Sequence, residues 1–341
     1  MIINHPFQFQ TAQTVDQAFD VLQNQPESVL LAGGTDFIPL LKYGLKRPVQ
    51  LIGLDQIPYL NRIEQRKQGL FIGAMNRLAT IVKDPQVIAH CAILSDAARL
   101  VASPQIRNVG TIGGNICQDR RCIYFNQTHF WRQSIASCFK TGGKICHQKP
   151  RSNQCWAIYH SDLAPALIAV GARVEYMDSQ GMHEVPVLTF IKEHIANNGG
   201  VKDATQLVCG FIIPQLSSTG WMGFVKHSVR ESIDFPVVNA AICYQPTVEK
   251  DDEPKLAIVV GAVAPEPIAL IETQQMIKKQ YQKNNISKTT WTESALKEVQ
   301  QKSQLILDTG LALSARKKAF GVVGRLIEKL ADFLVLNPFK N

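Results

Sequence analysis

Two segments about eighty residues apart each carry a pair of adjacent glycines. The first is LLAGGTDF, Leu30 to Phe37, where a strand pattern runs into Gly33-Gly34 and a helical pattern follows. The second is NVGTIGGN, Asn108 to Asn115, a loop rich in glycine, threonine and asparagine. Glycine lets the backbone bring N–H groups close to an anion, and a helix N-terminus adds a favourable dipole. A single such segment is a common strand–helix turn. The pair fits a dinucleotide whose diphosphate lies between two subdomains. The first segment is neither a Walker loop nor a Rossmann fingerprint, because it lacks both Gly-Lys-Ser/Thr and G-x-G-x-x-G.

The surrounding pattern supplies the subdomains. VDQAFDVLQ reads as a helix, SVLLAG as a strand, TDFIPLLKYGL as a helix and VQLIGL as a strand. That is a small βαβ-like unit, with Thr35 and Asp36 as N-cap candidates for its second helix. Strands follow in IEQRKQGLFIGA and helices in LATIVKD and PQVIAHCAILSDAARLVA. Beyond the second glycine segment, SDLAPALIAVGA reads as a helix, and ARVEYMD, HEVPV and QLVCGFIIP read as strands. A polar, turn-rich break at Pro214 to Gly220 then divides the chain. After it come strands in WMGFVKHSVR, FPVVNAAICYQPTVE and PKLAIVVGAVAPEP, then helices from about Trp291 to Leu334. Strands followed by helices on one face make an α+β layer. The expected domains are 1–216, with subdomains of about 1–55 and 56–216, and 221–341.

A chain of 341 residues suits about two domains, and its 45% hydrophobic content is ample for their cores. The opening MIINHPFQFQTAQTVDQAF has no basic n-region followed by an apolar h-region, so it does not read as a secretory signal. No apolar run approaches the roughly 18 residues of a membrane span. A cytoplasmic protein is expected, in which clustered thiols point to metal or redox chemistry rather than disulfides. The formal charge of +8 suits an acidic partner or an anionic cofactor. Basic residues are scattered and no nucleic-acid motif is present, so no nucleic-acid partner is expected.

Five of the eight cysteines crowd into one polar, aromatic-rich stretch: Cys117, Cys122, Cys138, Cys146 and Cys155. The last four are spaced C-x15-C-x7-C-x8-C, which matches neither a bacterial ferredoxin run nor a zinc ribbon. Four thiolates in one loop suit an iron–sulfur cluster or tetrahedral zinc. The stretch carries seven Lys/Arg (Arg120, Arg121, Arg132, Lys140, Lys144, Lys149 and Arg151) against Asp119 alone. Cations stabilise an anionic four-thiolate cluster, and the aromatics Tyr124, Phe125, Phe130, Trp131, Phe139 and Trp156 could wall it from water. The bland alternatives are a solvated face and an ordinary local core. The residues alone leave open whether Cys117 or Cys122 ligates. Cys91, Cys209 and Cys243 lie in apolar stretches and read as core.

AGGTD, TIGGN, SDLAPAL and FVKHSVRESIDFPVVNAA, in that order, resemble the FAD-binding subunits of the molybdenum hydroxylase family, which includes xanthine dehydrogenase and carbon monoxide dehydrogenase. The resemblance implies a mixed α/β and α+β fold. A p-cresol-methylhydroxylase-type FAD-binding domain of two subdomains would precede a C-terminal α+β domain like that of the carbon monoxide dehydrogenase flavoprotein. It assigns Ala32, Gly33, Gly34, Thr35 and Asp36, with Thr111, Ile112, Gly113, Gly114 and Asn115, to the FAD diphosphate. It also sets Asp162 near the cofactor, and Val208 and Lys226 at positions that touch FAD in the xanthine dehydrogenase branch. Read without it, Asp162 is an N-cap for the helix at Leu163 and Lys226 an exposed strand lysine.

Relatives join TIGGN to the SD helix by a short segment, whereas here about forty residues intervene. CQDRRCIYFNQTHFWR, the later cysteines and VRESIDFP resemble the β subunits of the 4-hydroxybenzoyl-CoA reductase branch, which carry an inserted 4Fe–4S loop. The resemblance maps the cluster ligands onto Cys122, Cys138, Cys146 and Cys155, within an insertion of about 117–160. It implies an electron-transfer subunit fed by a low-potential donor such as ferredoxin. Its expected partners are a 2Fe–2S subunit and a molybdopterin-containing large subunit, in a dimer of heterotrimers, with the aryl-CoA site on the large chain. No catalytic acid, base or nucleophile is expected here. The nearest alternative passes electrons outward to NAD or a quinone. A zinc-organised binding module would leave the glycine segments unexplained, and a stand-alone flavin oxidoreductase would leave the C-terminal region unexplained.

Overall fold

A computed structural model of the chain describes residues 3, 5–194, 206–230, 233–246, 254–303 and 320–337. The alternating sequence pattern becomes three sheets. β1 (Gln8–Thr11), α1 (Val15–Asn24), β2 (Ser28–Leu31), α2 (Phe37–Lys42) and β3 (Gln50–Gly53) form a parallel sheet in the order β1-β3-β2. α1 starts where the Thr14 hydroxyl accepts the Gln17 N–H, and it buries Ala18, Phe19 and Leu22. The sequence pattern did not mark β1, because QFQT pairs through its backbone while leaving Phe9 58% exposed. Asp36 was expected to cap α2 but makes no side-chain cap bond, since its carboxylate is drawn to Arg121.

The second sheet is antiparallel. β4 (Ile63–Arg66) and β5 (Gly69–Gly73) precede α3 (Leu78–Lys83), α4 (Pro85–His90), α5 (Ala92–Arg99), α6 (Pro104–Arg107) and α7 (Ile112–Ile116). α8 (His129–Arg132) lies in the cysteine stretch, and α9 (Leu163–Ala169), β6 (Arg173–Asp178), β7 (Gly181–Pro186), α10 (Val187–His194) and β8 (Leu207–Ile213) follow it. The strand order is β4-β5-β8-β6-β7. Every residue of β8 is buried, with Val208, Phe211 and Ile213 in one core and Leu207 and Cys209 in another. A strand covered on both faces reads as a continuous apolar run, which is what LVCGFII is.

The third sheet joins β9 (Trp221–His227), β10 (Val238–Gln245), β11 (Lys255–Gly261) and β12 (Ile268–Ala269), antiparallel in the order β12-β11-β10-β9. α11 (Ile271–Gln282), α12 (Lys288–Ser303) and α13 (Gly321–Leu336) complete this part. Ala240, Ile242 and Tyr244 of β10 face these helices, while Ala241 and Cys243 belong to the central core with α5 and α9. The sheet therefore packs on both sides. α11 begins earlier than the expected helices, and 304–319 of the expected helical stretch lie outside the described residues. Glu231 and Ser232 of VRESIDFP, and the TVE end of the expected strand, lie outside them too. Among the described residues, no helix is long and apolar enough to cross a membrane.

Candidate functional site

The two glycine segments touch each other. A β-carbon added to Gly33 would lie 2.1 Å from the Val109 carbonyl oxygen, so only glycine permits this approach. Gly34 has φ +70, a left-handed conformation that glycine adopts without strain. A β-carbon on Gly110 would meet the Thr35 hydroxyl at 3.3 Å, and one on Gly114 would meet the Ala32 β-carbon at 3.9 Å. The segments differ in how their amides are used. Among the described residues, no protein acceptor takes the N–H groups of Gly33, Gly34, Thr35 or Asp36, which are available to an anion. TIGGN, expected as a loop, is the cap and body of α7, and four of its five amides are bonded within the protein. Ile112 donates to Asn76, Gly113 to Ala74, Gly114 to the Thr111 hydroxyl and Asn115 to the Thr111 carbonyl. The first segment therefore offers more backbone donors, and the second is mainly a rigid wall.

A buried polar chain runs from that wall into the third sheet. The Ser161 hydroxyl donates to Asn115 Oδ1 at 2.6 Å and accepts the Ala164 N–H at the start of α9. Ser161 therefore supplies the capping bond expected of Asp162, which makes none. The Asp162 carboxylate accepts instead from Lys226 Nζ at 2.7 Å and from Asn239 Nδ2 at 2.8 Å. Lys226 also donates to the Leu100 carbonyl at 2.8 Å, and its side chain is only 6% exposed, not the exposed strand lysine of the alternative reading. Burial pushes the Asp162 carboxyl up, against the pull of Lys226 and Asn239. Val208 stands apart from this chain in the core, paired across to Tyr176. Ser161 and Asn239 were missed, because the serine of SD and an asparagine inside a strand carry no signal without their partners.

The four later cysteines line one cavity, together with Tyr124, Phe125, Phe139, Lys140, Ile145, His147 and Ala157. Backbone bridges between Arg121 and Ile158, and between Cys138 and Ile145, fold the insertion around it. Cys146, Trp156 and Ile158, with Phe139, form its own small core. None of the eight cysteines is in a disulfide. The Cys122 thiol is pushed up to about 11 by burial, opposed by the Tyr124 and Phe125 N–H groups and reinforced by Cys155 and Cys146. Burial likewise raises Cys155, opposed by the Ala157 N–H and by nearby Arg120 and Lys140. Among the described residues no three His, Cys, Asp or Glu gather as a single metal ion requires. Four thiols around one cavity are a donor set for a thiolate-bound metal group. Cys117 is not among the lining residues. It packs on the central core, and burial pushes its thiol to about 12. Cys91, Cys209 and Cys243 are core residues, as expected.

One side chain ties the two sites together. Arg121, next to Cys122, pairs with Asp36 of the first glycine segment and lies 4.4 Å from the centre of the Phe235 ring. His160, at the insertion's far end, lies tilted against that ring, with centres 5.6 Å apart.

Residues 5–216 match the family model described as FAD binding domain in molybdopterin dehydrogenase. The carbon monoxide dehydrogenase medium chain of Hydrogenophaga pseudoflava is 37% identical over 111 residues, which are 32% of this chain and 39% of that one. The putative xanthine dehydrogenase FAD-binding subunit XdhB of Escherichia coli K12 is 24% identical over 78% of this chain and 77% of its own. The chain thus spans about two fifths of the first relative's length. In solved structures, the fold resembles a chain of the Cu,Mo-CO dehydrogenase, with TM-score 0.72 and 19% identity over 98% of this chain and 100% of that one. It also resembles a chain of quinoline 2-oxidoreductase from Pseudomonas putida 86, with TM-score 0.71 and 20% identity over 97% and 99%.

Proposed function

Because this chain belongs to the family of FAD-binding domains of molybdopterin dehydrogenases, we propose that it is the electron-transferring flavoprotein subunit of a molybdenum-dependent aryl-CoA reductase like 4-hydroxybenzoyl-CoA reductase. The observation that carries this reading is the cavity shared by Cys122, Cys138, Cys146 and Cys155 beside the flavin-family glycine segments. When bound, FAD supplies one- and two-electron chemistry and a 4Fe–4S cluster supplies one-electron chemistry.

The chain's residues bind and orient. The amides of Gly33 to Asp36 donate to a diphosphate, while Thr111 to Asn115 hold that segment at a fixed distance. Lys226 and Asp162 clamp α9 to β9 next to Asn115 and so fix the floor of the flavin site. Cys122, Cys138, Cys146 and Cys155 hold the cluster, with Phe125, Phe139 and Tyr124 keeping water from it. Arg121 fixes the separation of the two sites. Electrons enter this subunit from a low-potential donor such as ferredoxin and leave to a 2Fe–2S subunit and a molybdopterin subunit, where the aryl thioester binds. No acid, base or nucleophile in this chain takes part.

The test is anaerobic purification with an absorption spectrum and iron, sulfide and zinc analysis of one sample. Flavin bands with about four irons and four sulfides per chain support the reading. One zinc per chain without iron overturns the cluster. Turnover of the whole complex with NAD or a quinone as acceptor, and none with a reduced low-potential donor, would reverse the direction of flow.

A further inference from the structure

We propose that Lys140 sets how readily the four-cysteine cavity accepts an electron, acting as a buried counter-charge balanced against Asp119. The inference rests on the reading that an iron–sulfur cluster occupies that cavity. Lys140 lines the cavity, and its side chain is 3% exposed. Its ammonium donates to Asp119 Oδ1 and to the Arg120 carbonyl, each at 2.7 Å, and lies 4.4 Å from the centre of the Phe125 ring. Arg120 is 5% exposed and reaches the Cys155 carbonyl at 3.4 Å.

A buried cation is costly unless an opposite charge compensates it. For Lys140 that charge is Asp119, and the group that binds the thiols, which ligate as thiolates, adds to it. Taking up one electron makes that group one unit more negative. A fixed cation beside it, shielded from water, stabilises the reduced form more than the oxidised form. Removing the Lys140 charge, which also takes from Asp119 its hydrogen-bonded cation, therefore disfavours reduction. Removing the Asp119 charge favours it. Lys140 is a positioning residue in this sense, because it need not touch the reacting atoms.

The experiment is an EPR-monitored redox titration of the anaerobically purified full-length protein, with iron and sulfide counted on each sample. Lys140→Met is expected to lower the reduction equilibrium constant at least tenfold, 59 mV for a one-electron couple. Asp119→Asn is expected to shift it upward, and Lys140→Arg to leave it near the wild-type value. A wild-type potential in Lys140→Met with four irons retained overturns the inference and leaves the cluster in place. If Lys140→Met loses its iron, Asp119→Asn decides: an unchanged or lower potential overturns the inference, and a higher one upholds it. Wild-type protein without iron or sulfide overturns the cluster reading, and the inference falls with it.

Discussion

Lys226 and Lys140 are both nearly buried, and each donates at 2.7 Å to an aspartate. Their surroundings differ. Around Lys226 the charges cancel: Asp162 is 4% exposed, and Asn239 and the Leu100 carbonyl satisfy what remains. Around Lys140 the pair also faces a cavity lined by four thiols, with Arg120 nearby. A buried pair enclosed by protein can hold two elements together. A pair that borders a cavity lends its field to whatever fills it. The same residue pair thus acts as a clasp in one place and lines a cavity in the other.

The comparison breaks most visibly at the thiols. Cys155→Ser is expected to remove essentially all iron from the purified protein, whereas Cys117→Ser, outside the cavity, keeps the wild-type content. Iron loss from the Cys117 variant instead would move the ligand set. Next in size is the clasp itself. Lys226→Met leaves a buried carboxylate without its cation and should cost about 3–5 kcal/mol in urea unfolding. Adding Asp162→Asn should recover most of that loss, because a neutral pair no longer carries the burial cost of an ion. Lys140→Met should lose less stability than Lys226→Met, since Arg120 remains beside Asp119.

Gly33→Ala comes third, at about 1–3 kcal/mol for overpacking against Val109. Flavin per chain should fall with it, because the two segments are forced apart. Gly321→Ala, where an added β-carbon meets nothing within 4 Å, is the control. Smallest is a pH effect far from either site. Burial opposes ionisation of Glu298, but Lys302, the Thr273 N–H and hydroxyl and the Glu272 N–H outweigh it and hold the carboxyl below its ordinary 4.5. A depressed folded value contributes stability above the unfolded value and loses it as pH falls through the folded one. Wild-type stability should therefore fall more steeply below about pH 4.5 than that of Glu298→Gln. Parallel acid limbs in the two proteins would remove Glu298 from this role.

Much of the fold was legible because its signals are local. VDQAFDVLQ has helical periodicity with a threonine cap, and LVCGFII has the unbroken apolarity of a strand covered twice. The glycine pairs, and the four cysteines with their surplus of cations, were equally plain. Contacts between distant residues were not. Asp162 finds Lys226 64 residues away and Asn239 77 away, and no periodicity links them. For the same reason the cap expected of Asp162 belongs to Ser161, and that expected of Asp36 gives way to Arg121, 85 residues on.

By itself, then, the sequence determined the elements, the places where only glycine suits the backbone and the chemistry of the donors. These depend on neighbours a few bonds away, whose geometry the chain's stereochemistry fixes. The tertiary structure decided which amides stay available, which lysine borders the cavity and which cysteine is left out of it. Those outcomes depend on burial and on charges meeting through space, and both exist only once distant segments have packed.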